Sequence, residues 1–232
     1  MEAVGHTGLY DYVEFVAEYG AYDLYAFDDL CRAAEVHGMD MMIKVEQEPR
    51  GWLAGRAIGS GFGSILFSDC RSADEVRECV RIASPDTPAD GGTYGVATRR
   101  NSYMGYGGSA EYSQSIRDVV IMMMIEKGSA VEQLDEILAI DGVDMIQWGP
   151  ADYSMSTGSV RGSDEVKAVE KRVLQAALKA GVQPRAEINS ADEAKYYLDL
   201  GVKHFCIGTD VAILFSWWKQ NGDDLRKAVE GV

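Results

Sequence analysis

Between residues 119 and 153 the chain reads VVIMMMIEKGSAVEQLDEILAIDGVDMIQWGPADY, and no other stretch restricts the fold as sharply. Residues 119–125 are apolar throughout and stop at Glu126. A run apolar on both faces suits a parallel strand buried on both sides. Residues 129–140 place Val131, Leu134, Ile137 and Leu138 at helical spacing, which predicts one connecting helix. Residues 143–148 repeat the apolar run, and Gly149-Pro150-Ala151-Asp152 closes it. A strand, a crossover helix and a parallel strand bring both strand C-termini to one sheet edge. Glu126 and Asp152 are therefore expected to face each other there. Two carboxylates so placed suit a hard cation of the Mg²⁺ or Mn²⁺ type, with water or substrate in the other positions. The alternative is that each carboxylate only caps the helix after its strand. The Gly-Pro-Ala turn reads as exposed, and its backbone N–H groups, Pro150 excepted, suit an anion.

The rest of the chain repeats the alternation. Strands are expected at residues 12–17, 41–45, 64–68, 184–188 and 205–208, besides the two above. Helices are expected at 28–37, 51–59, 110–116 and 164–180. Ser72 is expected to cap a helix through Ile82, and Ser190 one over 191–200. Two closing helices are read at 210–220 and 223–229. Residues 87–108, rich in Gly, Pro and polar side chains, form the longest loop and suit a cover over a site. Seven short strands alternating with helices fit a parallel α/β barrel better than an open sheet. No GxGxxG follows the first strand, which counts against a dinucleotide fold. The strand that should precede Tyr12 is missing, and residues 1–9 read as the remnant of a first helix. Residues 93–97 are the one weak candidate for an eighth strand. A barrel short of one strand exposes edges with unpaired backbone groups.

At 232 residues the chain suits a single domain. Its net charge of −15 and lack of a basic stripe argue against nucleic acid as a partner. No apolar run of 18 residues is present, so no membrane helix is expected. The N-terminus MEAVGHTGLYDY lacks the apolar core of a signal peptide. Cys31, Cys70, Cys79 and Cys206 show no C-x-x-C spacing and read as scattered, reduced thiols of a cytoplasmic protein.

With the segments MIEK and VDMIQWGPADYS in view, the chain resembles the 4-hydroxy-2-oxoheptanedioate aldolase and citrate lyase β-like family of metal-dependent class II pyruvate aldolases. The resemblance implies a TIM-type (β/α) barrel of the phosphoenolpyruvate/pyruvate superfamily, here lacking its first strand. It implies a divalent metal (Mg²⁺, Mn²⁺ or Co²⁺) held by Glu126 and Asp152. It also implies a small 2-oxo acid substrate, cradled by the backbone of Gly149, Pro150, Ala151 and Asp152. Cleavage to pyruvate would run through a metal-bound enolate. A C-terminal helix would pack on a neighbouring subunit of a trimer or hexamer.

The departures from the family pattern fall on the other groups of the site. Lys44 stands where the family has an enolate-stabilising Arg, keeping the charge without the forked geometry. Glu18 is retained from an Asp-Gly-Glu-His loop whose His is Tyr19 here. A tyrosine relays protons poorly near neutral pH unless its pKa is lowered. A family Gln two residues before the metal Glu is Met124. Lys44, Glu18 and Tyr19 are the expected catalytic residues. Lys44 as a Schiff-base nucleophile is the competing role. Tyr19 is read as either a proton relay or an aromatic packing on Tyr22. Arg50, Arg99 and Arg100 are the basic candidates for a pocket mouth. His6, His37 and His204 lie away from strand ends, and Met122–Met124 reads as core packing. Of Trp217 and Trp218, one is expected in the core and one at a subunit contact. The expected activity is cleavage of a 4-hydroxy-2-oxo acid to pyruvate and an aldehyde. The alternatives are a catalytically weak 2-oxo-acid-binding barrel or assembly subunit, or a related enolate enzyme such as an oxaloacetate decarboxylase or acyl-CoA lyase.

Overall fold

The computed structural model describes residues 1–96 and 107–231. They form two compact units, Met1–Pro184 and Arg185–Val232. In chain order the first holds α1 (Glu2–Gly5), β1 (Tyr12–Val16), α2 (Leu24–Val36), β2 (Asp40–Val45), α3 (Arg50–Ser60), β3 (Ser64–Phe67) and α4 (Ala73–Ala83). It continues with α5 (Ala110–Arg117), β4 (Val120–Ile125), α6 (Gly128–Glu132), α7 (Leu134–Leu138), β5 (Met145–Trp148), α8 (Pro150–Thr157) and α9 (Asp164–Ala180). β6 (Gln183–Ile188) leads into the second unit, which holds a 3₁₀ turn (Ala191–Glu193), α10 (Ala194–Leu200), β7 (His204–Ile207) and α11 (Asp210–Glu230).

β1 to β5 pair in order and in parallel, with Val16 opposite Lys44, Lys44 opposite Leu66, Leu66 opposite Met122 and Met124 opposite Gln147. In the second unit Ala186 lies opposite Phe205, again in parallel. Successive side chains of a strand point to opposite faces. Met42, Leu66, Met122 and Met124 therefore share one face, packed with Tyr12 and Met145. Met41, Ile43, Val45, Ile65, Phe67, Ile121, Met123 and Ile125 take the other and pack into the larger core with the helices. Both faces being buried is why these strands read as continuous apolar runs. The same alternation puts Lys44 one step beyond Met42, and Glu126 one step beyond Met124.

Caps set several helix starts. Asp23 accepts from the Ala26 N–H, so α2 begins four residues earlier than the apolar spacing indicates. Ser72 accepts from the Glu75 N–H at 3.2 Å, as expected. Ser190 makes no side-chain cap; the Glu193 carboxylate reaches back to the Asn189 N–H instead, and the first turn is 3₁₀. The connecting helix of residues 129–140 is two short helices. The backbone leaves helical geometry at Gln133, whose side-chain oxygen accepts the Ala73 N–H at 3.1 Å and so serves α4. Its apolar face is as expected, with Val131, Leu134, Ile137 and Leu138 all buried. The two closing helices are one continuous α11. A helical glycine costs only about 1 kcal/mol, and Gly222 is bracketed by side-chain bonds from Asn221 to the Trp217 carbonyl and from Gln220 to Asp224.

Residues 1–9 hold α1 and no strand. Residues 93–96 give only an isolated bridge between Tyr94 and Pro85, and Ala97 lies outside the described residues. Arg99 and Arg100 lie outside them too. Trp217 and Trp218 are both exposed, at 60% and 61%, so neither is a core residue. Among the described residues no helix is long and apolar enough to cross a membrane. Ile65 is fully buried at the centre of the five-strand ladder. Ile65→Ala is expected to cost about 2–5 kcal/mol, read as a lower urea midpoint with an unchanged slope.

Candidate active site

Five parallel strands deliver their C-terminal ends to one edge, and charged residues gather there. Glu18 lies just past β1, Lys44 is next to last in β2, and Asp69 lies two residues past β3. Glu126 and Lys127 follow β4 directly, and Asp152 sits in the first turn of α8.

Lys44 Nζ lies 2.6 Å from Glu18 Oε2, both largely buried, with the Tyr19 ring centroid 5.1 Å from the ammonium. Burial works against the charged lysine. The Glu18 hydrogen bond and the charges of Glu126 and Glu18 outweigh it and hold Lys44 above the ordinary lysine range. Tyr19 is 73% exposed, and the Tyr22 ring stacks on Phe27 instead of on Tyr19. Desolvation raises the Tyr19 pKa, the nearby Lys44 opposes this, and Glu18 adds to the rise. The phenol is therefore a proton donor at neutral pH.

Glu126 is only 2% exposed. Its Oε1 accepts the Asp69 N–H at 2.7 Å. Burial raises its pKa, the Asp69 amide and Lys44 oppose the rise, and the Asp152 and Asp69 charges add to it. Asp69 has φ 57°, a left-handed conformation that Asp tolerates better than most residues. Lys127, buried, joins the Asp69 carboxylate and also donates to Asp152 Oδ1 at 2.9 Å. Burial opposes the Lys127 charge, and Asp69 and Asp152 outweigh it.

The expected Gly-Pro-Ala turn is the start of a helix, and it is not exposed. Pro150 occupies the first helical position, where its missing N–H costs nothing. Gly149 is buried, and Pro150, Ala151 and Asp152 are half-buried. A β-carbon on Gly149 would fall 2.6 Å from Glu126 Cβ and 2.7 Å from its Oε2, so glycine is what lets the two strand ends approach. The first-turn N–H groups of Ala151 and Asp152 have no intrahelical acceptor, which suits a carboxylate.

Sequence reading placed Glu18, Lys44, Tyr19, Glu126 and Asp152 at this edge and missed three neighbours. Asp69 follows a strand by two residues and carries no motif. Lys127 is adjacent to Glu126, but its side chain turns to two other carboxylates. Gln147 is buried on the same strand face as Met124 and directly opposite it, so an amide missing from residue 124 is present one strand over. Arg50 is not at a mouth; it is buried at the start of α3. His6 and His37 pair with each other at 4.6 Å, away from the strand ends.

The residues fit a divalent cation. Glu126 Oε2 and Asp152 Oδ2 carry no protein hydrogen bond among the described residues. Around them the four carboxylates of Glu18, Asp69, Glu126 and Asp152 face the two ammonium groups of Lys44 and Lys127, a formal excess of two negative charges. Among the described residues no group of three or more His, Cys, Asp or Glu side chains is placed to hold a metal ion, so the protein would supply two ligands, Glu126 and Asp152. Water and substrate would therefore complete the coordination, as is usual for Mg²⁺.

Parallel α/β architecture with its charges at the strand C-termini is the layout of a (β/α)-barrel enzyme. The family model described as HpcH/HpaI aldolase/citrate lyase matches residues 16–215, and the chain belongs to that family. A hydroxypyruvate/pyruvate aldolase of Paraburkholderia phytofirmans is 28% identical over 230 residues, covering 97% of this chain and 88% of its own. A 4-hydroxy-2-oxo-heptane-1,7-dioate aldolase of Shigella sonnei is 31% identical over 157 residues, covering 66% of this chain and 59% of its own. The crystal structure of an HpcH/HpaI aldolase from Desulfitobacterium hafniense superposes with a TM-score of 0.85 at 26% identity, over 97% of this chain and 86% of that one. These likenesses give the chain the TIM-type barrel fold class.

Glu126→Gln keeps an acceptor for the Asp69 N–H and removes a buried charge facing Asp69 and Asp152. The expected outcome is a higher Tm for the chelator-treated variant, and an upward Tm shift with Mn²⁺ in the wild type that the variant lacks. An unchanged Mn²⁺ shift would remove Glu126 from the metal site.

Proposed function

We propose that the chain is a divalent-metal-dependent carbon–carbon lyase that cleaves a 4-hydroxy-2-oxo acid to pyruvate and an aldehyde. The observation that carries this reading is the pair of unpartnered carboxylate oxygens on Glu126 and Asp152, beside an ammonium held charged at Lys44. Bound by Glu126 and Asp152, Mg²⁺, Mn²⁺ or Co²⁺ would act as a Lewis acid toward the 2-oxo acid. The relatives' names point to the same substrate class, with pyruvate or hydroxypyruvate as the three-carbon part.

The chain's own groups then have defined tasks. The free N–H groups opening α8, at Ala151 and Asp152, bind the substrate carboxylate, and Gly149 keeps that helix start against Glu126. Cleavage breaks the C3–C4 bond, moves its electron pair toward the C2 oxygen, and takes the proton of the C4 hydroxyl. Lys44 supplies positive charge to the C2 oxygen as negative charge grows there. Glu18 fixes the Lys44 side chain and keeps it protonated. A lysine held charged is a poor amine nucleophile, so a Schiff base is not its role. Tyr19, protonated and over Lys44, is placed to donate a proton and not to remove one. The hydroxyl proton falls to Glu18, through water.

A second reading is a 2-oxo-acid-binding barrel of low turnover. The observation favouring it is the exposure and raised pKa of Tyr19 where the family pattern has a histidine. We also propose that the protein is a homo-oligomer. On α11, Phe215 and Trp218 on one face, and Leu214 and Trp217 on another, are all exposed.

The deciding measurement is pyruvate release from a panel of 4-hydroxy-2-oxo acids, with EDTA and with restored Mn²⁺. Turnover abolished by EDTA and recovered with Mn²⁺ is expected. Tight pyruvate binding without turnover would select the second reading. Lys44→Met is expected to lower kcat by about 10²–10³-fold, with Lys44→Arg recovering part of it. Borohydride with pyruvate should leave no adduct on Lys44; an adduct found by mass spectrometry would overturn the assigned role.

A further inference from the structure

Cys70 lies in the loop between β3 and α4, and Cys79 on the buried face of α4. Their sequence spacing matches no thiol motif, yet the fold brings their sulfurs to 3.7 Å. They are not scattered thiols. Over them lies Arg50, itself 8% exposed. Its Nε donates to the Gln47 carbonyl at 2.7 Å. Its Nη1 donates to both sulfurs, at 3.4 Å to Cys70 and 3.3 Å to Cys79. The nearest carboxylate oxygen, Glu75 Oε2, is 3.9 Å from Nη2 and is already accepting the Arg71 N–H. A buried guanidinium without a hydrogen-bonded carboxylate is costly, and a thiolate is the anion within reach. Cys70 and Cys79 are 1% and 0% exposed, and the half-exposed Glu75 side chain lies beside Arg50.

We propose that Cys70, Cys79 and Arg50 form a peroxide-reactive dithiol site, with Cys79 as the nucleophile and Cys70 as the thiol that resolves it. Either sulfur can donate in the 3.7 Å contact; with Cys70 as the donor, the Cys79 sulfur accepts from Cys70 and from Arg50, both bonds lower its pKa against burial, and the buried Cys70 thiol moves up. In the first step the Cys79 thiolate attacks one oxygen of hydrogen peroxide, the O–O bond breaks, and hydroxide leaves as water after taking the Cys70 proton. Cys79 is then a sulfenic acid. In the second step the Cys70 thiolate attacks the Cys79 sulfur, the S–O bond breaks, and hydroxide leaves as a second water, taking up from solvent the proton that Cys79 released on ionising. The dithiol is oxidised by two electrons to a disulfide, and one peroxide is reduced to two waters. Bond formation needs the sulfurs at about 2.05 Å. Cys79 is fixed in a helix, so the approach falls to Cys70 on its loop. Such a bond in a reducing compartment is transient and sensing, not structural.

The test is peptide mapping of the native full-length protein after stoichiometric hydrogen peroxide, with alkylation of remaining thiols. A Cys70–Cys79 cross-link with Cys31 and Cys206 still alkylated is expected. Cys70→Ser should stop at a dimedone-trappable sulfenic acid on Cys79, and Cys79→Ser should leave Cys70 reduced. Arg50→Met should slow the reaction by about tenfold for each unit that the thiol pKa rises. All four thiols surviving in the native wild type, or oxidation mapping first to Cys31 or Cys206, would overturn the proposal whether or not the variants fold.

Discussion

A single carboxylate sets the terms at the strand ends. Glu126 is 2% exposed, and two other carboxylates, Asp69 and Asp152, act on it. An ionised group in that position is tolerable only if something compensates it. Three compensations are built in: the Asp69 amide on Oε1, the Lys44 ammonium from the neighbouring side, and Lys127 drawing charge from Asp69 and Asp152. They leave two charges unbalanced and two carboxylate oxygens unused. In the proposed reading a divalent cation offsets that deficit, and its binding would then add to the stability of the arrangement.

The framework was legible because it rests on local pattern. Alternation along Met42–Lys44 and Met122–Glu126 is enough to aim Lys44 and Glu126 from one face toward one edge. The crossover rule brings Asp152 to the same edge. What the sequence withheld depends on contacts distant in the chain. Asp69 matters through a bond to a residue 57 positions away. Gln133 breaks its helix because its side chain serves Ala73, 60 positions back. The two closing helices expected at 210–220 and 223–229 are one, because the Gln220 and Asn221 side-chain bonds carry the helix through Gly222. The Cys70–Cys79 contact follows from the turn between β3 and α4, which no spacing rule describes.

The departures from the family pattern form a connected set. With lysine at residue 44 the forked guanidinium geometry is lost, and the Glu18 carboxylate is drawn into holding the ammonium at 2.6 Å. Tyr19 then sits over the lysine as a donor. Gln147 lies opposite Met124 on the adjacent strand, and the Met124 methyl fills the space against Gly149.

Asp69 works through two parts at once, its backbone amide toward Glu126 and its side chain toward Lys127, in a conformation with φ 57°. Those demands narrow the amino acids the position accepts. Most residues are strained there. Glycine relieves the strain and keeps the amide, but it leaves Lys127 to bear on Asp152 alone. Asparagine keeps the backbone shape and an acceptor for Lys127, but it removes one of the two charges that hold the ammonium buried. Sequence drift at residue 69 therefore changes the charge at the strand-end carboxylates even where the backbone stays the same.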